Sequence, residues 1–284
     1  MTTVGIVSPG AMGSALGRAW AAGGARVVAT VDGRSARTRE LAHGLELLPS
    51  LADVVAAANV VVSVCPPAAA TRVLDDVIAA AGDARPLLVD LNAVSPDTMA
   101  TLDTRARGAG FALVDGSISG GPPRPGGDTM VYLSGGRADV LATLQADGIR
   151  TRVVGDEIGT ASAVKMCTAS VYKGTTAIWA QALQTAHALG VLDIVLADLA
   201  EEHPEQVATA ARRIGVATSK AHRFVGEMEQ IAATQAAAGA SGELFAAMAA
   251  VYRRLAATDL AALPPEQSAH LDELTDVLRR LSTP

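Results

Sequence analysis

The sequence predicts an α/β domain with a mostly parallel, doubly wound sheet, joined by a long helix to an all-α C-terminal domain. Three observations carry that expectation. Short β-branched runs alternate with segments of helical periodicity through the first half of the 284 residues, the order that winds a parallel sheet. One run, Val60–Cys65, is continuously apolar, as a strand covered on both faces must be. Beyond about residue 160 no strand pattern returns, and Ala-rich helical periodicity takes over.

Taken in order, Thr3–Val7 reads as the first strand and Ala11–Ala22 as the helix that follows it. Arg26–Val31 is the second strand and Ala36–His43 the second helix. Pro66-Pro67 ends the Val60–Cys65 strand, because proline has no N–H for the ladder, and Ala69–Ala81 is helical. Pro86–Leu91, Pro96–Gly108 and Phe111–Asp115 read as strand, helix and strand, and Met130–Ser134 and Thr151–Val154 as two closing strands. Residues 160–190 form one helix of roughly 45 Å at the usual rise. Later helices break at His203-Pro204, Gly239–Gly242 and Leu263-Pro264-Pro265. The domain boundary is expected between residues 158 and 159, giving domains 1–158 and 159–284.

Composition narrows the function. Half the residues are hydrophobic and only 3% aromatic, so Ala, Val, Leu and Ile must build the core. A net charge of -6 without a Lys/Arg cluster argues against a nucleic-acid partner. No run of about 18 apolar residues would span a membrane, and no basic leader precedes the first strand, so a cytoplasmic protein is expected. Cys65 and Cys167 lack metal-ligand spacing and read as reduced core thiols; no metal is expected.

The first strand runs into Ser8-Pro9-Gly10-Ala11-Met12-Gly13. In the G-x-G-x-x-G pattern of dinucleotide sites, Ser8 replaces the first glycine. Gly10 admits a pyrophosphate close to the backbone, Gly13 lets helix and strand pack closely, and the N–H groups of the helix start meet the phosphates. The position between first strand and first helix is the context that gives the pattern meaning. The alternative is a tight turn without a ligand. After the second strand, Asp32 could accept a ribose 2′-OH and favour NAD, whereas Arg34, Ser35 and Arg37 could hold a 2′-phosphate; the two arginines and the hydroxyl favour NADP. Cys65-Pro66-Pro67 and Asn92 end further strands, where ligands of open α/β sheets bind. Asn92 either reaches the nicotinamide side or turns the chain before Pro96.

Asp115-Gly116-Ser117-Ile118-Ser119-Gly120-Gly121 follows the Phe111–Asp115 strand, and Ser119, Gly120 and Gly121 offer N–H groups and a hydroxyl to a carboxylate. The chain holds only three lysines: Lys165, Lys173 and Lys220. Lys165 interrupts an otherwise apolar helix. A lysine can surrender a proton when desolvated and an arginine cannot, so Lys165 is the candidate general acid/base; the alternative is a lysine snorkelling to solvent. Lys173, eight residues on and nearly on the same helix face, reads as an outward charge, with a second polar group in the pocket as the alternative; His187, His222 and Glu227 read as structural, with a place in the pocket lining as the alternative.

These residues together resemble the β-hydroxyacid dehydrogenase family, which includes 3-hydroxyisobutyrate and 6-phosphogluconate dehydrogenases. Ser8 to Gly13 resembles their cofactor loop and Gly33-Arg34-Ser35 the Asn-Arg-Thr of NADP-binding members. Asp115 to Gly121 resembles the substrate loop Asp-x-x-x-Ser-Gly-Gly. Gly159 with Lys165 resembles the Gly-x-x-x-x-x-Lys that carries the catalytic lysine. Residues 220–229 and 251–254 resemble an uncharacterised C-terminal domain type of some 6-phosphogluconate-dehydrogenase-like bacterial proteins.

The resemblance implies a Rossmann cofactor domain and a homodimer with packed helical domains. It also implies a small hydroxyacid, or the matching carbonyl acid, as substrate. Ala169 departs from the pattern, which places Asn four residues after the lysine; Thr168 or Tyr172 would substitute as substrate contacts. Imine reductases are relatives that usually replace the lysine. The leading expectation is an NADP-dependent oxidoreductase, with an imine reductase and a cofactor-binding protein without turnover as alternatives.

Overall fold

The computed structural model describes residues 1–282. The chain divides into two compact units, Met1–Met166 and Cys167–Pro284.

The first unit is built on eight strands: β1 (Thr3–Ile6), β2 (Arg26–Ala29), β3 (Glu46–Leu47), β4 (Val60–Ser63), β5 (Leu87–Asp90), β6 (Leu113–Ser119), β7 (Thr129–Ser134) and β8 (Ile149–Gly155). They lie in the order β3-β2-β1-β4-β5-β6-β7-β8. All neighbours are parallel except β6 and β7. Six helices accompany them: α1 (Ala11–Ala22), α2 (Ala36–Leu41), α3 (Leu51–Ala57), α4 (Ala70–Ala80), α5 (Pro96–Gly108) and α6 (Ala138–Ala142).

Strand alternation sorts the core into two layers. Val60, Val62, Leu87 and Val89 join Leu16 and Trp20 of α1 on one face. Val61 and Leu88 join Val73 and Val77 of α4 and Met99 and Leu102 of α5 on the other. Each fully buried Val or Leu contributes about 1.5–3 kcal/mol, so this two-sided burial is what makes the sheet a rigid platform. Local signals agree with it. Ser95 caps α5 through the Thr98 N–H, with Pro96 in the first helical position, where its missing N–H costs nothing.

The expected α/β architecture is present, with instructive differences at its edges. β3, α3 and α6 were not expected. Two exposed residues make β3, too few for periodicity to register. For α3 the signal existed: Ser50 and Asp53 form a reciprocal capping box. β6 extends through Ser119, so Asp115–Ser119 is strand and not loop. Here Gly116 is needed for packing, because a Cβ would lie 2.3 Å from Leu91 Cδ2.

The second unit is helical. The long helix α7 (Thr160–Ala188) begins in the first unit and continues into the second. After it come α8 (Leu192–Glu202), α9 (Pro204–Thr218), α10 (Ala221–Ala237), α11 (Glu243–Ala256), α12 (Pro265–Ser268) and α13 (Leu274–Leu281). The end of α7 near residue 190 and the breaks at Pro204, at 238–242 and before Pro265 match the sequence expectation, and that at 219–220 adds to it. The division between the two units falls inside α7, after Met166. The physical reason is that β6 and β7 side chains hold the first turn of α7, as described below.

Two sequence readings are corrected. Lys173 does not point outward: it is 8% exposed, paired with Glu227 of α10 and 4.3 Å from the Phe224 ring centroid. Tyr252 of α11 is buried and donates to the Lys173 carbonyl oxygen at 2.8 Å. Of the two thiols, Cys167 is exposed and is not a core residue.

Candidate active site

The strand order places a topological switch between β1 and β4, where the chain, having wound outward from β1 to β3, returns on the other side. Ligands of open α/β sheets bind at such a point, beyond the carboxyl ends of the strands. The loops there are Ser8–Gly10 and the segment through Cys65, Pro66 and Pro67.

The Ser8–Gly10 loop is a three-residue turn closed by the Gly10 N–H on Ser8 O at 2.8 Å. Proline at its centre pre-sets its own φ, and Ser8 has no positive φ, so the turn does not require a glycine there. Gly13 is buried against this turn, and a Cβ there would lie 2.4 Å from Ser8 O. Gly10 differs: a Cβ there would meet nothing within 4 Å. It is the N-cap of α1, which has neither a capping side chain nor an acidic residue in its first turn. Open space over a bare backbone, at the positive end of a helix, fits a pyrophosphate. Ala11 and Met12 complete the first turn; Ala11 is exposed and Met12 half-buried.

At the end of β2, Gly33 turns the chain with φ +65°. Arg34 then folds back, and its Nη2 donates to Val7 O at 3.2 Å. The guanidinium therefore lies beside the end of β1. Ser35 spends its hydroxyl locally, accepting from Thr38 N at 3.2 Å to cap α2. Arg37 and Asp32 are exposed.

Behind the rim, Asn92 acts as a clamp between β4 and β5. Its Oδ1 accepts from Cys65 N at 2.5 Å, and its Nδ2 donates to Ser63 Oγ at 3.0 Å and Asp90 Oδ2 at 2.7 Å. Asn92 is buried, and its amide holds the Cys65 loop in place. Burial pushes the Asp90 carboxyl up to about 7; hydrogen bonds from Asn92 oppose that rise and the nearby Asp115 charge adds to it. Burial likewise pushes the Cys65 thiol up to about 11, which leaves it a neutral wall of the loop and not a nucleophile.

Along the same rim, β6 continues past Asp115, the last residue paired with β5. Ile118 lies on this extension, and Lys165 Nζ donates to its carbonyl oxygen at 2.6 Å. Ser119 ends β6, and Gly120 follows with φ +110°. Gly121 O accepts from Thr129 Oγ1 at 2.9 Å, which fixes the far side of the loop. The structure thus brings Lys165 to the root of the Ser119–Gly121 loop. Thr168 and Tyr172 follow on α7, both exposed, while Ala169 is buried.

Sequence reasoning did not single out Ser117, Ser134 and Ser162, which are fully buried polar residues on β6, β7 and α7. Buried side-chain hydroxyls need partners, and theirs run to Asp115 and to the backbone of α7.

Comparisons with known proteins agree with this geometry. Residues 3–146 match the NAD binding domain of 6-phosphogluconate dehydrogenase, and residues 186–255 match a domain of unknown function, DUF1932. An uncharacterized 28.5 kDa protein from Methanothermus fervidus is 30% identical over 174 residues, 60% of this chain and 66% of that protein; the match spans just under two thirds of that relative. A 3-hydroxyisobutyrate dehydrogenase from Mycobacterium tuberculosis shares the fold with TM-score 0.67 and 22% identity, over 95% of this chain and 98% of the other. An imine reductase variant from Myxococcus stipitatus, solved with NAD+, does so with TM-score 0.55 and 23% identity, over 99% of each chain. The first unit is accordingly a nicotinamide-dinucleotide-binding domain, and the chain belongs to the family of the 6-phosphogluconate dehydrogenase NAD-binding domain.

Proposed function

We propose that this protein is an NADP-dependent oxidoreductase acting on a small hydroxyacid or the matching carbonyl acid, with Lys165 as general acid/base. The observation that carries the reading is the placement of Lys165 Nζ, 2.6 Å from Ile118 O, at the root of the Ser119–Gly121 loop and on the rim that bears the cofactor loop. Bound nicotinamide would accept or supply the hydride. The Ser119 hydroxyl and the N–H groups of Gly120 and Gly121 would hold the substrate carboxylate. Lys165 would take the hydroxyl proton as the carbon gives up its hydride, or return it in the other direction. Arg34, with Arg37, would meet the 2′-phosphate, which supports NADP over NAD; Ser35, occupied as a helix cap, contributes little.

Replacing Lys165 with Ala should abolish NADP+ reduction across a panel of small hydroxyacids while leaving NADPH binding intact. A Lys165→Ala enzyme with full turnover would refute the assignment. A second reading, imine reduction, is favoured by one departure: Ala169 is buried where a substrate-holding Asn is expected, and Tyr172 lies exposed nearby on the same helix. Amine-dependent NADP+ reduction, with no response to hydroxyacids, would select it.

The second unit supports a homodimer. α8 is rich in Leu, Ile and Val, yet none of its residues is buried. Ile194 is 72%, Leu189 71% and Val171 68% exposed. A second copy packed on α8 would remove its apolar side chains from water. Ile194→Glu should then yield a monomer by sedimentation; an unchanged dimer would place the interface elsewhere. The free cysteines suit a reducing, cytoplasmic setting, and among the described residues no helix is long and apolar enough to cross a membrane.

A further inference from the structure

We infer that Asp115 is a positioning residue: its buried carboxylate holds the first turn of α7 so that Lys165 meets β6 at the reacting end of the site. This rests on the reading of Lys165 as the acid/base.

Asp115 is completely buried, and four donors converge on it. Oδ2 accepts from Ser134 Oγ at 2.9 Å, Gly159 N at 2.9 Å and Ser162 N at 3.1 Å. Oδ1 accepts from Ser162 Oγ at 2.7 Å. Every partner is a donor, the set that a carboxylate, an acceptor only, can satisfy. A helix begins with N–H groups that have no intrahelical acceptor, and here other strands supply the acceptors for α7. Gly159 and Ser162 bond Asp115, and Ala161 N donates to Ser134 Oγ at 3.0 Å. Ser117 Oγ adds a bond to Ala161 O at 2.8 Å. A negative charge at this end also complements the helix dipole.

The consequence lies one turn further on. Lys165 follows Ser162 by three residues on the helix, and Ile118 follows Asp115 by three on the strand. The Asp115–Ser162 bonds and the Lys165–Ile118 bond are therefore two rungs between the same two elements. Loosening the first rung frees the helix start and with it the geometry of the second. At position 115 an amide would keep one acceptor oxygen and set an NH2 against either the three donors on Oδ2 or the Ser162 hydroxyl on Oδ1, so Asn cannot reproduce the full set.

The scarcity of lysine makes this testable without a substrate. The probe is an amine-acylating reagent applied to the intact protein at fixed pH, with labelling of Lys165, Lys173 and Lys220 read separately by mass spectrometry. Ser162→Ala removes one donor and leaves the backbone bonds; Ser162→Thr restores a hydroxyl; Asp115→Asn replaces one of the two acceptor oxygens with a donor.

Labelling of Lys165 should rise by about tenfold in Ser162→Ala, as when a charge-assisted hydrogen bond to the ammonium is lost. It should rise at least as much in Asp115→Asn and return toward wild type in Ser162→Thr. Labelling of Lys220, in the other unit, should stay constant. If Asp115→Asn does not fold, the Ser162 pair decides. Equal Lys165 labelling in wild type, Ser162→Ala and Ser162→Thr would overturn the inference. Should labelling respond while Lys165→Ala retains turnover, Asp115 still positions the lysine and only the catalytic reading fails.

Discussion

Two glycines three residues apart should respond in opposite ways to the same methyl group. At Gly13 an added Cβ would lie 2.4 Å from Ser8 O and 3.2 Å from Ile6 Cγ2. Backbone cannot move aside as a flexible side chain can, so the turn or the start of α1 must shift by about 1 Å. Overpacking of this kind costs about 1–3 kcal/mol, which lowers the melting temperature by about 2–12 °C in a domain of this size.

At Gly10 the Cβ meets nothing within 4 Å, and its backbone, φ -73° and ψ -167°, is open to alanine. Gly10→Ala should therefore change stability by less than about 1 kcal/mol. The methyl would, however, occupy the space that a pyrophosphate needs, and NADPH affinity should fall by at least about tenfold, or ~1.4 kcal/mol. Thermal unfolding and NADPH fluorescence titration of both variants test the pair. Wild-type melting of Gly13→Ala, or wild-type NADPH binding by Gly10→Ala, would refute the division of labour between the two glycines.

Three other perturbations follow from particular contacts. Lys173→Met leaves the largely covered Glu227 carboxylate, 12% exposed, without its partner and should cost about 3 kcal/mol in urea unfolding; a loss below about 1 kcal/mol would mean that the pair is solvated. Asp90, at about 7 in the folded protein, sits above the ~3.9 of an unfolded Asp. The folded state then holds the extra proton, so this group's stabilisation falls as pH rises from about 4 to about 7, by up to about 4 kcal/mol. The difference between wild type and Asp90→Asn in pH-dependent unfolding reads that contribution, and a difference that is flat across the window would contradict it. Arg34→Leu should weaken NADPH binding by about tenfold or more and leave NADH nearly untouched, since one guanidinium–phosphate contact is lost; equal losses for both would assign Arg34 to a shared part of the cofactor.

Much of this was legible in the residues because burial writes a periodic signature. Val60–Cys65 reads as a strand since both its faces are covered, and the Pro96 helix starts with its cap and its proline together. Short elements escaped: β3 and α6 have too few residues for any period to emerge. Of the residues singled out for their unusual types, Gly10 and Gly13 lie at the start of α1, and Lys165 bonds Ile118 O beside Ser119 at the end of β6. What could not be read were partners distant in sequence. Nothing local says that Asp115 meets Ser162, or that Lys173 turns inward to Glu227, because those pairings arise only when β6, α7 and α10 pack. Asn92 shows the same limit: its position at a strand end left a ligand contact and a turn both open, and its bonds across β4 and β5 are visible only in the fold.

The central claim, an NADP site governing a lysine-assisted hydride transfer, is tested most directly by titrating the purified protein with NADPH and with NADH while following nicotinamide fluorescence. The account predicts saturable NADPH binding that is clearly tighter than NADH binding. Tighter binding of NADH would place Asp32 on the ribose and contradict the selectivity, and binding of neither would contradict the oxidoreductase reading itself.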